Sequence, residues 1–175
     1  ASVLVAGAEI LGNPSLTGMS VVACAGATLI GAVTATGSLV ALLKLEGRWI
    51  SSGAISSRWL DALNVILVTS SLVCAVALGF QLQLPMTYFI LVGLASVLGI
   101  TLVVPIGGAD MPVVVALLNA YSGLAACGTG FALGNILLVI AGALVGASGL
   151  ILTQIMCKAM NRSLLNVLTG GMGAQ

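Results

Sequence analysis

Residues 136–157 read ILLVIAGALVGASGLILTQIMC, a run of 22 residues in which no side chain carries a charge. An uninterrupted apolar run of about 20 residues is long enough to cross the hydrocarbon core of a bilayer as a helix. Comparable runs precede it along most of the chain. The sequence therefore predicts an all-α fold, a polytopic bundle of transmembrane helices.

The composition of the whole chain supports this class of protein. The 175 residues are 60% hydrophobic and 5% charged, with a mean hydropathy of +1.27. A soluble domain carries roughly a quarter charged residues. A transmembrane β-barrel would instead need short segments that alternate apolar and polar side chains, whereas these runs are continuous. Lipid is therefore the expected solvent, and helices are the expected spans.

The runs divide into about six predicted helices. They cover residues 1–11, 19–45, 59–79, 86–104 and 111–130, with a last helix that follows a turn at Gly134 and Asn135 and ends near residue 160. Breaks are expected at residues 13–15, 46–57, 81–85 and 105–110. The first helix is too short to span a bilayer, so we expect its beginning to be missing. Residues 1–160 are the predicted transmembrane domain, and residues 161–175, which are more polar, are the predicted start of a linker that leaves the membrane.

Basic residues predict the orientation. All five follow the second or the sixth helix: Lys44, Arg48, Arg58, Lys158 and Arg162. An even number of spans separates these two places, so all five are expected on one side. The positive-inside rule makes that side cytoplasmic, or the matrix side in a mitochondrion. The loop that ends at Asp110 follows the fourth helix and belongs to the same side.

Several classes of partner are disfavoured. The net charge is +1, and no basic patch with interleaved aromatic residues indicates nucleic acid. The four cysteines are widely spaced and lack the short spacing of metal or redox sites. The absence of histidine removes the commonest metal ligand and the usual group that titrates near neutral pH. We therefore expect no metal site in this chain.

Small residues form stripes on three predicted helices, at about 100° per residue. The stripe on the fifth helix contains Ala116, Asn119, Gly123, Ala126 and Gly130. The corresponding stripes elsewhere are Ala27, Gly31, Thr34 and Ser38 on the second helix, and Gly142, Gly146, Gly149 and Thr153 on the sixth. Transmembrane helices approach closely along such faces. Asn119 and Ser38 are therefore expected to face a polar seam inside the bundle, away from lipid.

The residues alone leave the roles of these polar groups open. Asn119 and Ser38 either stabilise helix packing by hydrogen bonds or hold water and relay protons. Asp110 either caps the fifth helix or couples the bundle to a soluble partner. Lys158 and Arg162 are either interfacial anchors or part of a mechanism. No span has an ionisable residue at its centre, so a complete proton relay would need a titratable group from outside the chain.

Four segments resemble a known family. These are GAVTATGSLVALLKLEG (residues 31–47), IGGADMPVVVALLNAYSG (106–123), GALVGASG (142–149) and MCKAMNRSL (156–164). In this order and spacing they are similar to the membrane domain of the proton-translocating NAD(P) transhydrogenase β subunit, of which the chain resembles the last six helices. The resemblance runs from about residue 30 onward.

The resemblance implies a role in an enzyme of three parts. Two soluble domains bind NAD(H) and NADP(H) and exchange hydride, and the membrane domain couples this transfer to inward proton flow. Hydride chemistry and both cofactors would then lie outside this chain. The implied partners are lipid, further transhydrogenase helices or an α subunit, an NADP(H)-binding domain after residue 175, and a second protomer in a dimer. The implied membrane is the bacterial inner membrane, or the mitochondrial inner membrane in a eukaryote.

The resemblance also implies residue roles. Asn119 matches a helix asparagine of the family's proton path, and Ser38 matches a serine of the neighbouring channel helix. The residues implied in coupling to the NADP(H) domain are Asp110, Gly149, Lys158 and Arg162.

Two features depart from the family pattern. Ala147 stands where members often have serine, and the chain lacks the membrane histidine that some members carry before the position of Ala1. Two other functions stay open. One is a secondary transporter or channel subunit with no redox role, which should show an internal repeat or a broken-helix site, and the other is a structural membrane scaffold.

Overall fold

The computed structural model describes residues 1–12, 18–47, 58–80 and 84–168, and these ranges are almost entirely helical. The described ranges contain seven α-helices: α1 (Ser2–Gly12), α2 (Gly18–Glu46), α3 (Arg58–Gly79), α4 (Leu84–Val103), α5 (Met111–Ala132), α6 (Ile136–Ala159) and α7 (Leu164–Leu168). A 3₁₀ turn, Gly108–Asp110, precedes α5. No strand occurs in the described ranges, so the predicted all-α fold is confirmed.

Five of these helices, α2 to α6, are long and apolar enough to cross a membrane. Their ends agree with the predicted spans to within about two residues. Helix α1 has 11 residues and is about 16 Å long, which is too short to span a bilayer. The predicted breaks at residues 13–15 and 81–83, most of the polar stretch 46–57, and residues 169–175 lie outside the described residues.

Helix α2 lies at the centre of the bundle, where it packs against α1, α3, α4 and α5. Helix α6 packs chiefly against α5. Large apolar side chains cover the outer surface, and on α6 they include Leu137, Leu144, Ile151 and Ile155. Exposed apolar side chains on helices long enough to cross a bilayer, in a chain with 5% charged residues, are those of a membrane protein.

Two apolar clusters fill opposite ends of the bundle. The first, termed the loop-side cluster, joins the end of α2 to the start of α5 and includes Val40, Ala41, Ile106, Met111 and Val113. The second joins α1, the start of α2 and the start of α4, and includes Ala6, Ile10, Cys24, Tyr88 and Leu91. Tyr88 donates its hydroxyl proton to the Val3 carbonyl (2.6 Å) and ties α4 to the short α1.

The segment predicted as a linker begins with packed structure. Helix α7 lies within it, and Val167 is buried in the loop-side cluster with Leu164 packed beside it. Their spacing of three residues puts both side chains on one face of a helix. The boundary between membrane domain and linker stays a prediction, but the first turns after α6 remain attached to the bundle.

Candidate functional site

Helix α6 closes one face of α5 by contact between backbones. A Cβ atom added to Gly123 or to Gly142 would collide with backbone atoms of the other helix. A Cβ at Gly149 would lie 2.8 Å from the Cα of Ala120. The buried residues of α6 are Gly142, Gly146, Gly149, Thr153 and Cys157. The predicted small-residue stripe on this helix is therefore confirmed as its packing face.

A second face of α5 borders a polar crevice. The crevice has a volume of about 250 Å³ and lies between α1, α2 and α5. Four of its eight lining residues carry hydroxyl groups: Ser2, Thr34, Ser38 and Ser122. Hydroxyl-bearing side chains on three helices within membrane-spanning structure give this crevice the chemistry to hold water.

Two of these hydroxyls donate to their own helix. Thr34 donates to the Gly31 carbonyl (3.1 Å) and Ser38 donates to the Ala35 carbonyl (3.0 Å). A serine or threonine oxygen that donates in this way still has lone pairs that can accept a hydrogen bond from another group. Both oxygens can therefore accept a hydrogen bond from water in the crevice.

The prediction that Asn119 faces a polar seam inside the bundle is corrected by the structure. Its side chain is exposed in the described part of the chain, while Ala116 and Gly123 of the same predicted stripe are buried. At about 100° per residue, Asn119 lies about 60° around α5 from Ala116. Helix α6 covers only one edge of the stripe, which leaves Asn119 on the open edge. Ser38, also expected inside the seam, is likewise exposed.

Asn119 and Ser38 line different cavities. Asn119 lies in a groove of about 460 Å³ between the end of α2, α5 and α6. The other lining residues are apolar: Leu45, Pro112, Val115, Ala116, Leu152 and Met156. Ser122 lies one turn beyond Asn119 on the same face of α5 and lines the crevice with Ser38. The open face of α5 thus carries Asn119 and Ser122 side by side, flanked by α2 and α6.

Two of the four predicted coupling residues are in direct contact. Nη1 of Arg162, in the segment after α6, donates to Oδ2 of Asp110 at 2.9 Å. Asp110 is only 4% exposed. The ion pair fastens the segment after α6 to the loop before α5.

Asp110 stands at the N-cap position of α5 but does not act as a cap. Its side chain makes no capping hydrogen bond, and its backbone is helical (φ −92°, ψ −4°). An N-cap residue normally has extended backbone so that its side chain can reach the first N–H groups. A guanidinium is also a stronger donor than a backbone N–H. Of the two roles left open for Asp110, the structure does not show the cap, and its side chain forms the ion pair with Arg162.

The other two predicted coupling residues lie apart from this pair. Lys158 is exposed at the end of α6. Gly149 is nine residues earlier on α6, about 13 Å deeper in the membrane, where it touches Ala120 beside Asn119. The four predicted coupling residues thus form an ion pair at the loop (Asp110 and Arg162), an exposed cation at the end of α6 (Lys158) and a packing contact in the interior (Gly149).

Lys44 does not lie where its sequence position predicts. A basic residue near the end of a span is expected at the membrane edge, yet the Lys44 side chain is only 2% exposed. Nζ donates to the carbonyls of Val104 (2.6 Å) and Ile106 (2.7 Å). With the Arg162–Asp110 pair, these contacts show that α2, α4 and α6 end on one side of the bundle, as the charge argument predicted. Arg48 and the side chain of Arg58 lie outside the described residues.

These features define a class of protein. It is a polytopic helical membrane protein with a hydroxyl-lined crevice between its spans and an ion pair at one membrane edge. The family model for the NAD(P) transhydrogenase beta subunit matches residues 1–175, so the chain belongs to this family.

The curated relatives of this chain include two that are each named NAD(P) transhydrogenase subunit beta. One is from Rhodospirillum rubrum and the other from its strain ATCC 11170, and each is 65% identical to this chain over 88 residues. The matched segment covers 50% of this chain and 19% of each relative. The chain therefore corresponds to a small part of the curated relatives.

Proposed function

We propose that this chain is the proton-translocating membrane domain of an NAD(P) transhydrogenase. In this proposal it couples transmembrane proton movement to hydride transfer between NAD(H) and NADP(H), which bind to other domains. Membership of the family supports the assignment to this enzyme. The hydroxyl-lined crevice between α1, α2 and α5 is the observation that supports a proton path through this chain. No step of hydride chemistry is assigned to these residues.

The proposed path runs along the open face of α5. Ser38 and Ser122 orient water in the crevice, and Asn119 continues the polar surface one turn nearer to the Asp110 end of the bundle. Neither an amide nor a hydroxyl changes its protonation near neutral pH, so these groups position water. The group that takes up and releases the proton is supplied from outside the 175 residues. A further transhydrogenase helix or an α subunit would then cover the open face.

Coupling is proposed at the loop that carries Asp110. An NADP(H)-binding domain on this side would act on the bundle through the segment that contains Arg162. Because Arg162 pairs with Asp110, a displacement of that segment would pull on the start of α5, nine residues before Asn119. Lys158 would supply a second cation beside it, and Gly149 would keep α6 close to α5. This side is cytoplasmic in a bacterial inner membrane, and the complete enzyme has two protomers.

The test replaces Asn119 with leucine in the complete enzyme. We expect Asn119→Leu to reduce proton-coupled turnover in sealed vesicles by tenfold or more, about 1.4 kcal/mol, while hydride exchange between the soluble domains continues. Val115→Leu, one turn earlier on the same exposed face, is the matched control. Since the Asn119 side chain is exposed and lies outside the buried core of this chain, we expect little change in the melting temperature. Coupled turnover equal to that of the unmodified enzyme would remove Asn119 from the path.

A further inference from the structure

Lys44 is a buried cation held by backbone carbonyls. It lies in the last turn of α2, and its Nζ donates to the Val104 and Ile106 carbonyls at 2.6 and 2.7 Å. Both carbonyls belong to the segment that leaves α4, on either side of Pro105. Carbonyl groups at the end of a helix lack helical partners, and the helix dipole makes that end negative. The site therefore suits a cation.

An apolar side chain would cost less free energy to bury at this position than a lysine. Burying an ammonium group is costly even where it is hydrogen-bonded, and hydrophobic replacement of buried charges is often neutral or stabilising. The surrounding loop-side cluster, with Val40 and Ala41 on α2 and Ile106 on the loop, would accept a methionine. Packing alone thus does not explain a lysine at this position. Its two hydrogen bonds to backbone carbonyls are interactions that methionine cannot make.

The hydrogen bonds attach α2 to the loop that carries Asp110. Residues 104–110 connect α4 to α5, and Lys44 holds the first part of this loop. Arg162 holds its last residue, Asp110. The loop is therefore fastened on one side to α2 and on the other side to the segment after α6.

We infer that Lys44 is a positioning residue that transmits movement of the Asp110 loop to α2. Ser38 lies six residues before Lys44 on the same helix, about 9 Å away along its axis. A displacement of the loop, pulled through Arg162, moves the end of α2 through the Lys44 hydrogen bonds and changes the position of Ser38 in the crevice. The inference rests on the proposed function and adds a second connection to it, from the loop to the α2 wall of the crevice.

The activity test compares three variants of the complete enzyme in sealed vesicles. K44M removes both hydrogen bonds at similar volume, and K44R keeps the charge and the donors. L42M introduces the same residue at an exposed position of α2 and is the control. We expect K44M to lower proton-coupled turnover about tenfold, the effect of losing a charge-assisted hydrogen bond. Hydride exchange between the soluble domains should not change, and K44R and L42M should behave as the unmodified enzyme.

A distance measurement separates positioning from a general loss of stability. Spin labels at positions 39 and 109, both exposed, report the separation of α2 from the loop in a complete enzyme from which the native cysteines have been removed. The distance distribution should be narrow in the unmodified enzyme and in K44R, and broad in K44M. If K44M does not assemble, K44Q, which keeps one weaker donor and no charge, takes its place under the same two criteria.

The results distinguish the inference from the proposed function. If the unmodified enzyme moves no protons, the proposed function fails whatever Lys44 does. If the unmodified enzyme is coupled and K44M equals it in turnover, the inference about Lys44 is wrong and the proposed function stands. Lost coupling with an unchanged distance distribution also overturns the inference, since Lys44 would then act otherwise than by holding the loop.

Discussion

Helix α5 presents two faces with opposite construction. Toward α6 it places glycines against glycines, so that the two backbones touch at Gly123 and Gly142. Between α2 and α6 it exposes Asn119 and Ser122, which line a groove and a crevice. One face leaves no room for a methyl group, and the other has room for water.

The contrast explains how one helix can both pack rigidly against its neighbour and border a space with room for water. In lipid no hydrophobic driving force brings helices together, so they associate through van der Waals contact. Small residues let the two backbones approach closely and so increase this contact. Such a seam cannot hold a water molecule. The open face keeps polar side chains at the same depth, and the closed face fixes where those side chains are. The open face therefore depends on the closed one.

The largest effect is expected from breaking the closed face at its tightest point. Gly123→Leu would drive a four-carbon side chain into the backbone of α6 at Gly142 and Gly146. Such overpacking costs more than the usual 1–3 kcal/mol for an inserted methylene, because backbone atoms cannot move aside. We expect the β subunit either to fail to assemble or to melt at a much lower temperature in detergent.

The control for this variant is Gly93→Leu. Gly93 is exposed on α4, and an added Cβ would meet nothing within 4 Å. The melting temperature of Gly93→Leu should therefore remain close to that of the unmodified protein. Equal melting temperatures for the two variants would show that α5 and α6 are not in backbone contact.

A smaller effect is expected where the closed face supports the open one. Gly149→Ala would put a methyl group 2.8 Å from the Cα of Ala120, next to Asn119. We expect a loss of about 1–3 kcal/mol in stability, with a larger fractional loss of proton-coupled turnover than of soluble-domain hydride exchange. Thermal unfolding and vesicle assays measure the two quantities.

Gly146→Ala is the matched control on the same stripe of α6. Its methyl group would lie 3.4 Å from Leu124, which is an ordinary contact. The alanine should be tolerated and should favour the helix slightly. If both alanine variants lose the same stability and coupling, the stripe is uniformly tight and Gly149 has no special position beside Asn119.

The sequence was sufficient for the helices and for the closed face. Long apolar runs determine the spans, and the spacing of Gly142, Gly146 and Gly149 determines which side of α6 packs. Both are properties of a single helix, because length and periodicity are local. The turn before α6 was also predictable, since Gly134 takes φ +65° and the side chain of Asn135 accepts from the Leu138 N–H.

The open face was not predictable, because it depends on how many neighbours surround α5. Periodicity predicts Asn119 in the same stripe as Gly123. Because periodicity describes a single helix, it does not predict that α6 covers only one edge of that stripe. Lys44 shows the same limit. A lysine near a helix end normally extends to the membrane edge, and only the tertiary structure brings the Val104 and Ile106 carbonyls to it.

A substitution at Ser122 should change the stability least, and it tests the open face most directly. Ser122→Cys changes one atom at an exposed position, so the stability should stay within about 0.5 kcal/mol. In the complete enzyme, with the native cysteines replaced, a water-soluble thiol reagent should modify this cysteine. A thiol reacts as its thiolate, which forms where water or a polar environment stabilises it.

The comparison is Leu144→Cys, on the outer surface of α6. A cysteine there would face acyl chains, so we expect Ser122→Cys to react at least about ten times faster than Leu144→Cys. A second reagent that partitions into lipid should narrow this difference, because it raises the reagent concentration around the thiol of Leu144→Cys. If the water-soluble reagent modifies both positions equally slowly, the face of α5 that carries Ser122 and Asn119 is sealed from water in the assembled enzyme. A proton route along it would then lack the water molecules that must carry the charge between side chains that cannot titrate.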